Sequence, residues 1–170
     1  YDDRVYEKAR ELLDSQIKEG IYVTDSDPAY YLYELTMDGR SQTGIVACCA
    51  VDDYINGVIK KHENTREDKE QDRIRHVDAT NAHTGPIFLA YRRQEELKRL
   101  VEQAKKEKAL YDFVSEDGIR HRVWKIGDPG MVKAVEEAFE KLPAAYIADG
   151  HHRAASAVKA GLKRRQENPE

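Results

Sequence analysis

The chain lacks most of the features that classify a protein at a glance. No apolar run approaches the length of a membrane span, and no signal-peptide pattern is visible. Cysteine is nearly absent: only Cys48 and Cys49 occur, side by side in an apolar run. Neighbouring strand residues point to opposite faces, so a disulfide between them is not expected. Their spacing is not CxxC, one of them is expected in the core, and the simplest setting is a reducing cytoplasm. No charge of one sign dominates: 28 Lys and Arg face 32 Asp and Glu, for a net charge of −4. That balance gives no general attraction for DNA, RNA or anionic lipid, so neither nucleic acid nor membrane is an expected partner. There is no HExxH motif, no helix-turn-helix pattern, no internal repeat and no low-complexity linker.

What remains is 170 residues, 35% of them charged, enough for one domain with a real core and room for a substantial insertion. The chain opens at Tyr1 directly into a helical pattern, from which we expect a fragment of a longer protein. Val5, Ala9, Leu12, Leu13 and Ile17 mark the apolar face of that helix, and Gly20 stops it. Residues 29–36 read as a strand, Asp38-Gly39 as a hairpin turn, and 43–51 as a strand apolar enough to be covered on both faces. The segment from Lys60 to His76 is the most charged; Asn64 or Thr65 is expected to cap a polar helix there, either solvent-exposed and held by ion pairs or lining a polar cleft. Pro86 to Tyr91 predicts a strand, and Leu97, Leu100, Val101 and Ala104 a helix. Residues 110–115 and 119–126 flank Asp117-Gly118 as a second hairpin. Asp128-Pro129 starts a helix with Val132, Val135, Phe139 and Leu142 inside. Residues 144–148 form the last strand and 151–162 the last helix, with a disordered tail expected over 164–170. Hairpins mixed with strand–helix alternation predict an α/β fold with a mixed sheet, of α+β character. The reading is one domain over 1–170, with a possible insertion at 92–142.

The chemistry concentrates at Ala145-Tyr146-Ile147-Ala148-Asp149-Gly150-His151-His152-Arg153. A short apolar strand runs into an acidic residue, a glycine turn, two histidines and an arginine at the mouth of a small-residue helix. Free backbone N–H groups and the helix dipole favour an anion there. Arg153 adds a planar charged fork for phosphate oxygens, and Gly150 permits close backbone approach. Asp149 ends the strand, placed to hold a metal ion or accept a proton. The plain alternative is a strand-to-helix turn capped by Asp149 with solvated histidines.

Taken together, His62-Glu63-x-Thr65, Lys69-Glu70-x-Asp72-Arg73 and Tyr146 to Arg153 resemble a bacterial and archaeal family of unknown function marked by an Asp-Gly-His-His-Arg signature. Gly44-Ile45-Val46-Ala47 and Val51-Asp52-Asp53-Tyr54 share the resemblance, which covers nearly the whole chain. That family is similar in its signature to the free-serine kinases of the ParB/sulfiredoxin-like superfamily. The resemblance implies a ParB/sulfiredoxin-like core and phosphoryl transfer from ATP or ADP, with Mg2+, to the hydroxyl of free L-serine. By motif, Glu63 matches the catalytic base, and Asp149, Gly150, His151, His152 and Arg153 match the turn that holds nucleotide phosphates and metal. His62 is either a ligand contact or a plain surface residue. Lys69 and Arg73, one turn apart, either reach phosphates or pair with neighbouring carboxylates.

Competing readings remain. Sulfiredoxin chemistry needs a cysteine where this chain has His151. A zinc hydrolase using His62, Glu63, His151 and His152 lacks the usual spacing. The main rival to a kinase is a non-catalytic module that senses a nucleotide or phosphate.

Overall fold

The Asp38-Gly39 turn is made as the sequence predicts. In the computed structural model, which describes residues 2–168, both residues have positive φ (50° and 75°), the type I′ geometry that matches strand twist. The turn joins β1 (Tyr30–Met37) to β2 (Arg40–Val46). A second hairpin, β5 (Tyr111–Val114) and β6 (Arg120–Ile126), completes a four-stranded antiparallel sheet in the order β2-β1-β6-β5. Two helices belong to the same compact unit, α4 (Glu95–Ala104) and α5 (Pro129–Glu140). Asp128 caps α5, its Oδ1 accepting the Met131 N–H at 2.9 Å. The core of this unit takes Leu32, Trp124 and Ile126 from the sheet, Leu97, Leu100 and Ala104 from α4, and Val135 and Ala138 from α5. Buried among the strand residues is a charged one, Glu34. It faces Arg122 across the β1–β6 ladder and is held by Arg122, by Lys105 at 2.6 Å and by the Thr43 hydroxyl at 2.6 Å. The unit comprises Asp25–Cys49 and Arg92–Pro143, so the stretch 92–142 lies within it together with the first hairpin.

The remaining described residues form the other unit: those up to Thr24, Ala50–Tyr91, and those from Ala144 onward. Its sheet has three strands in the order β3-β7-β4. The central strand β7 (Ala145–Asp149) runs parallel to β3 (Ile59–Lys60) and antiparallel to β4 (Phe88–Tyr91). Ile59, Ile147 and Ala154 form its core, with Tyr54, Ile87 and Leu89 packed around them. Four helices accompany the sheet: α1 (Arg4–Lys18), α2 (Val51–Ile55), α3 (Glu67–Thr80) and α6 (His151–Glu167). Alanines 154, 155 and 160 and Ser156 on α6 are buried, and their small size lets α3 and α2 come close. The charged helix α3 is held by ion pairs, one of the two expectations for it, but it is not capped by Asn64 or Thr65. Its N-cap is Arg66, without a side-chain cap, and the Thr65 hydroxyl instead donates to buried Glu70. Lys159 of α6 pairs with Glu67 (3.1 Å) and Glu70, and Lys163 pairs with Asp78 (2.6 Å). Burial pushes the Glu70 carboxyl up, but Lys159 and Thr65 outweigh it and hold it below its ordinary range.

Among the described residues, two sheets and six helices make a mixed α/β architecture of α+β type. Several local expectations need correction. The apolar run 43–51 is not one doubly covered strand: β2 ends at Val46 on an exposed sheet edge, and Val51 begins α2. Cys48 and Cys49 lie in the exposed connection between them, neither in the core. A short apolar run carries no period that separates a buried strand from an edge strand and its exit. On α1 the buried residue is Tyr6, whereas Val5, Leu12 and Ile17 are about half exposed. Tyr6 supplies a large ring and a phenol that donates to Asp72 of α3 at 2.7 Å, which fixes the face turned inward. The last helix runs to Glu167, well into the segment expected to be disordered, and Arg165 there pairs with Asp52 at 2.8 Å. Residues 169–170 of that segment lie outside the described residues. No helix among the described residues is long and apolar enough to cross a membrane.

Candidate functional site

Strand direction assembles the site. Because β3 and β7 are parallel neighbours, the chain leaves both at the same end of the sheet. His62 and Glu63 follow β3 by two and three residues, and Gly150 and His151 follow β7 directly. β4 runs the other way, with Phe88 opposite Asp149, so Gly85 and Ile87 arrive at that same edge. Parallel strands place ligand sites outside their carboxyl ends for this reason.

Gly150 is the N-cap of α6 and adopts φ +89°, a left-handed conformation that turns the chain sharply from strand to helix. A Cβ there would lie 2.9 Å from the Ile87 side chain and 3.0 Å from Arg153 Nε. Gly85 is similarly close, its missing Cβ 3.3 Å from Arg153 Nη1. The two glycines thus flank the Arg153 side chain. No side chain caps α6 and its first turn holds no acid, so its leading N–H groups keep their capacity for an anion. Arg153 at present donates to Asp149 Oδ2 at 2.6 Å.

His151, the first residue of the helix, is buried. Its Nδ1 lies 3.1 Å from Glu63 Oε1, and its side chain is only 4% exposed against 53% for Glu63. Its Nε2 is buried without a hydrogen-bond partner. The His62 ring meets it edge-on, with centroids 4.4 Å apart and planes at 83°. His152 Nε2 accepts the Arg66 backbone N–H at 3.2 Å, which ties the loop after β3 to α6. Ser156, one turn on, donates to His152 O at 2.6 Å and contacts Glu70 O at 3.2 Å, locking the head of α6 against α3.

Of the residues singled out in the sequence, His62, Glu63, His151 and His152 therefore gather at one edge, with Gly150, Arg153 and Asp149 beside them. Lys69 and Arg73 do not join them: both are exposed on α3, whose face toward α6 carries Glu67, Glu70 and Asp78. At about 100° per residue, Lys69 and Arg73 occupy another face. Sequence reasoning missed Gly85, Ile87, Arg66 and Ser156. Only Gly85 carried a signal, as a turn former before Pro86. An open groove of about 470 Å3 is lined by Tyr54, Ile59, Lys60, Lys61 and Val158, residues leading to His62 and packed along α6.

A family model described as "Protein of unknown function (DUF1015)" matches residues 1–170. No curated protein and no solved structure gives a match.

Proposed function

We propose, for a chain that belongs to the DUF1015 family along its whole length, a nucleotide-dependent phosphotransferase acting on a free hydroxy amino acid, with L-serine as acceptor and O-phosphoserine as product. The observation that carries the reading is the meeting of Glu63 with the head of α6, 3.1 Å from His151. It sets a half-exposed carboxylate beside the uncapped head of α6, which supports the reading. Phosphoryl transfer asks chiefly for positioning and charge neutralisation, and these residues offer both. The leading N–H groups of α6 and Arg153 bind phosphate oxygens, with His62 and His152 at the rim. Glu63 takes the serine hydroxyl proton. The serine oxygen then forms its bond to the terminal phosphorus of ATP or ADP as the bridging P–O bond breaks, leaving ADP or AMP. Asp149, 73% exposed at the strand end, suits Mg2+, an ion that keeps most of its waters and needs one carboxylate beside the phosphates. Mg2+ held there supplies neutralisation of the charge on the transferring group. The choice of serine and the ParB/sulfiredoxin-like core rest on the signature's likeness to free-serine kinases, and the cytoplasmic setting on the two adjacent cysteines.

Phosphorus NMR of the protein with Mg2+, ATP or ADP, and L-serine tests the reading. A serine-dependent phosphomonoester signal, lowered at least about 100-fold in rate by Glu63→Gln with nucleotide binding retained, is expected. Nucleotide binding with no product in the wild type overturns the kinase in favour of a sensor.

A further inference from the structure

We infer that His62, Glu63 and His151 form a binding site for a divalent transition-metal ion of the Zn2+ class, separate from any Mg2+ that accompanies a nucleotide. One ligating atom from each of the three lies within 4.8 Å of the other two. Two of them already stand at coordination spacing. Ligands at about 2.0–2.2 Å around a tetrahedral ion are about 3.3–3.6 Å apart, and Glu63 Oε1 is 3.1 Å from His151 Nδ1. His62 and Glu63 are exposed on the loop after β3, and no packed neighbour has to give way for either side chain to turn. His151 is fixed, buried at the first position of α6.

The set of donors decides the metal. Two imidazoles and one carboxylate suit Zn2+ or Fe2+, whereas Mg2+ prefers oxygen ligands and water. Three protein ligands with two of the residues exposed leave coordination positions open to solvent or substrate, the pattern of reactive rather than purely structural sites. Ligation through Oε1, the oxygen already turned to His151, leaves Oε2 of Glu63 for the hydroxyl proton. The inference stands without the phosphotransfer reading, since it concerns metal alone.

Equilibrium dialysis of the metal-stripped protein against Zn2+, with Mg2+ in excess and no nucleotide, tests it. One tightly bound equivalent is expected in the wild type and in Asp149→Asn, whose carboxylate is outside the cluster. His62→Ala and Glu63→Gln are expected to weaken that equivalent at least about 100-fold, the upper range for residues that only support ligands. Both residues are exposed, so a circular-dichroism melt should match wild type and keep a loss of zinc distinct from unfolding. Absence of the wild-type equivalent, or its persistence in both variants, overturns the site. Retained zinc binding with no phosphoserine formation, or the reverse, separates this inference from the proposed activity.

Discussion

Removing the charge of Glu34 should make the antiparallel unit both weaker and less sensitive to acid. This carboxylate is fully buried between β1 and β6. Burial pushes its pKa up, but Lys105, Thr43 and Arg122 outweigh it and bring it from 4.5 to about 2. An unfolded chain protonates Glu34 near pH 4.5, whereas the fold keeps it charged to about 2. Between those values the unfolded state binds more protons, so the contribution is complete above about 4.5 and lost as pH falls through about 2. A pKa difference of about 2.5, at about 1.4 kcal/mol each, corresponds to about 3 kcal/mol. Glu34→Gln keeps the shape but leaves two cations without their carboxylate. Breaking a buried pair costs about 3–5 kcal/mol, and the lower end applies because Lys105 and Arg122 are 23% and 29% exposed. The single tryptophan reports on this place: Trp124 is buried, with the Lys105 ammonium 5.9 Å and the Arg122 guanidinium 5.2 Å from its ring. Urea unfolding followed by its fluorescence, in wild type and variant from about pH 7 to about pH 2, measures the difference. The gap should be about 3 kcal/mol near neutrality and close toward zero at the acid end. A gap that stays constant across the range refutes the reasoning.

Arg153→Ala should weaken nucleotide binding about 10- to 100-fold, the worth of a charge-assisted hydrogen bond, as read by titration calorimetry; unchanged affinity removes Arg153 from the phosphate site. Gly150→Ala should destabilise the protein by about 1–3 kcal/mol in thermal melts, because φ +89° strains any Cβ and the new methyl meets Ile87 at 2.9 Å. The same methyl lies 3.0 Å from Arg153 Nε, so nucleotide affinity should fall with it; a variant as stable as wild type shows that the turn relaxes freely.

What could be read from the sequence was local. Asp38-Gly39, the Asp128-Pro129 helix start and the Asp149 to Arg153 turn each declare themselves within a few residues. The face of α1 did not, since partnership with Asp72 of α3, 66 residues away, decides it. Nor did the edge position of β2, because pairing rather than composition sets which strands are covered. The candidate site divides the same way. Its helix-head half was legible in one motif. The approach of Glu63 depends on β3, two residues long and without any period, finding β7 in parallel. No propensity in Ile59-Lys60 encodes that. Burial of Ser156 and Glu70 was equally hidden, because polar residues enter a core only where a specific partner awaits them.

The order of segments along the chain bears on how the protein is made. The backbone passes from one unit to the other four times, after Thr24, Cys49, Tyr91 and Pro143. Of the strands among the described residues, β7, in the middle of the three-stranded sheet, is the last to leave the ribosome. Until it does, β3 and β4 have no neighbour between them, and the edge carrying His62 and Glu63 has no helix to meet. The antiparallel unit, by contrast, holds all its strands by Ile126. During synthesis the antiparallel unit can close while the three-stranded one waits, with loops of many tens of residues to draw shut in one late step. The candidate site is therefore assembled only once β7 has docked between β3 and β4.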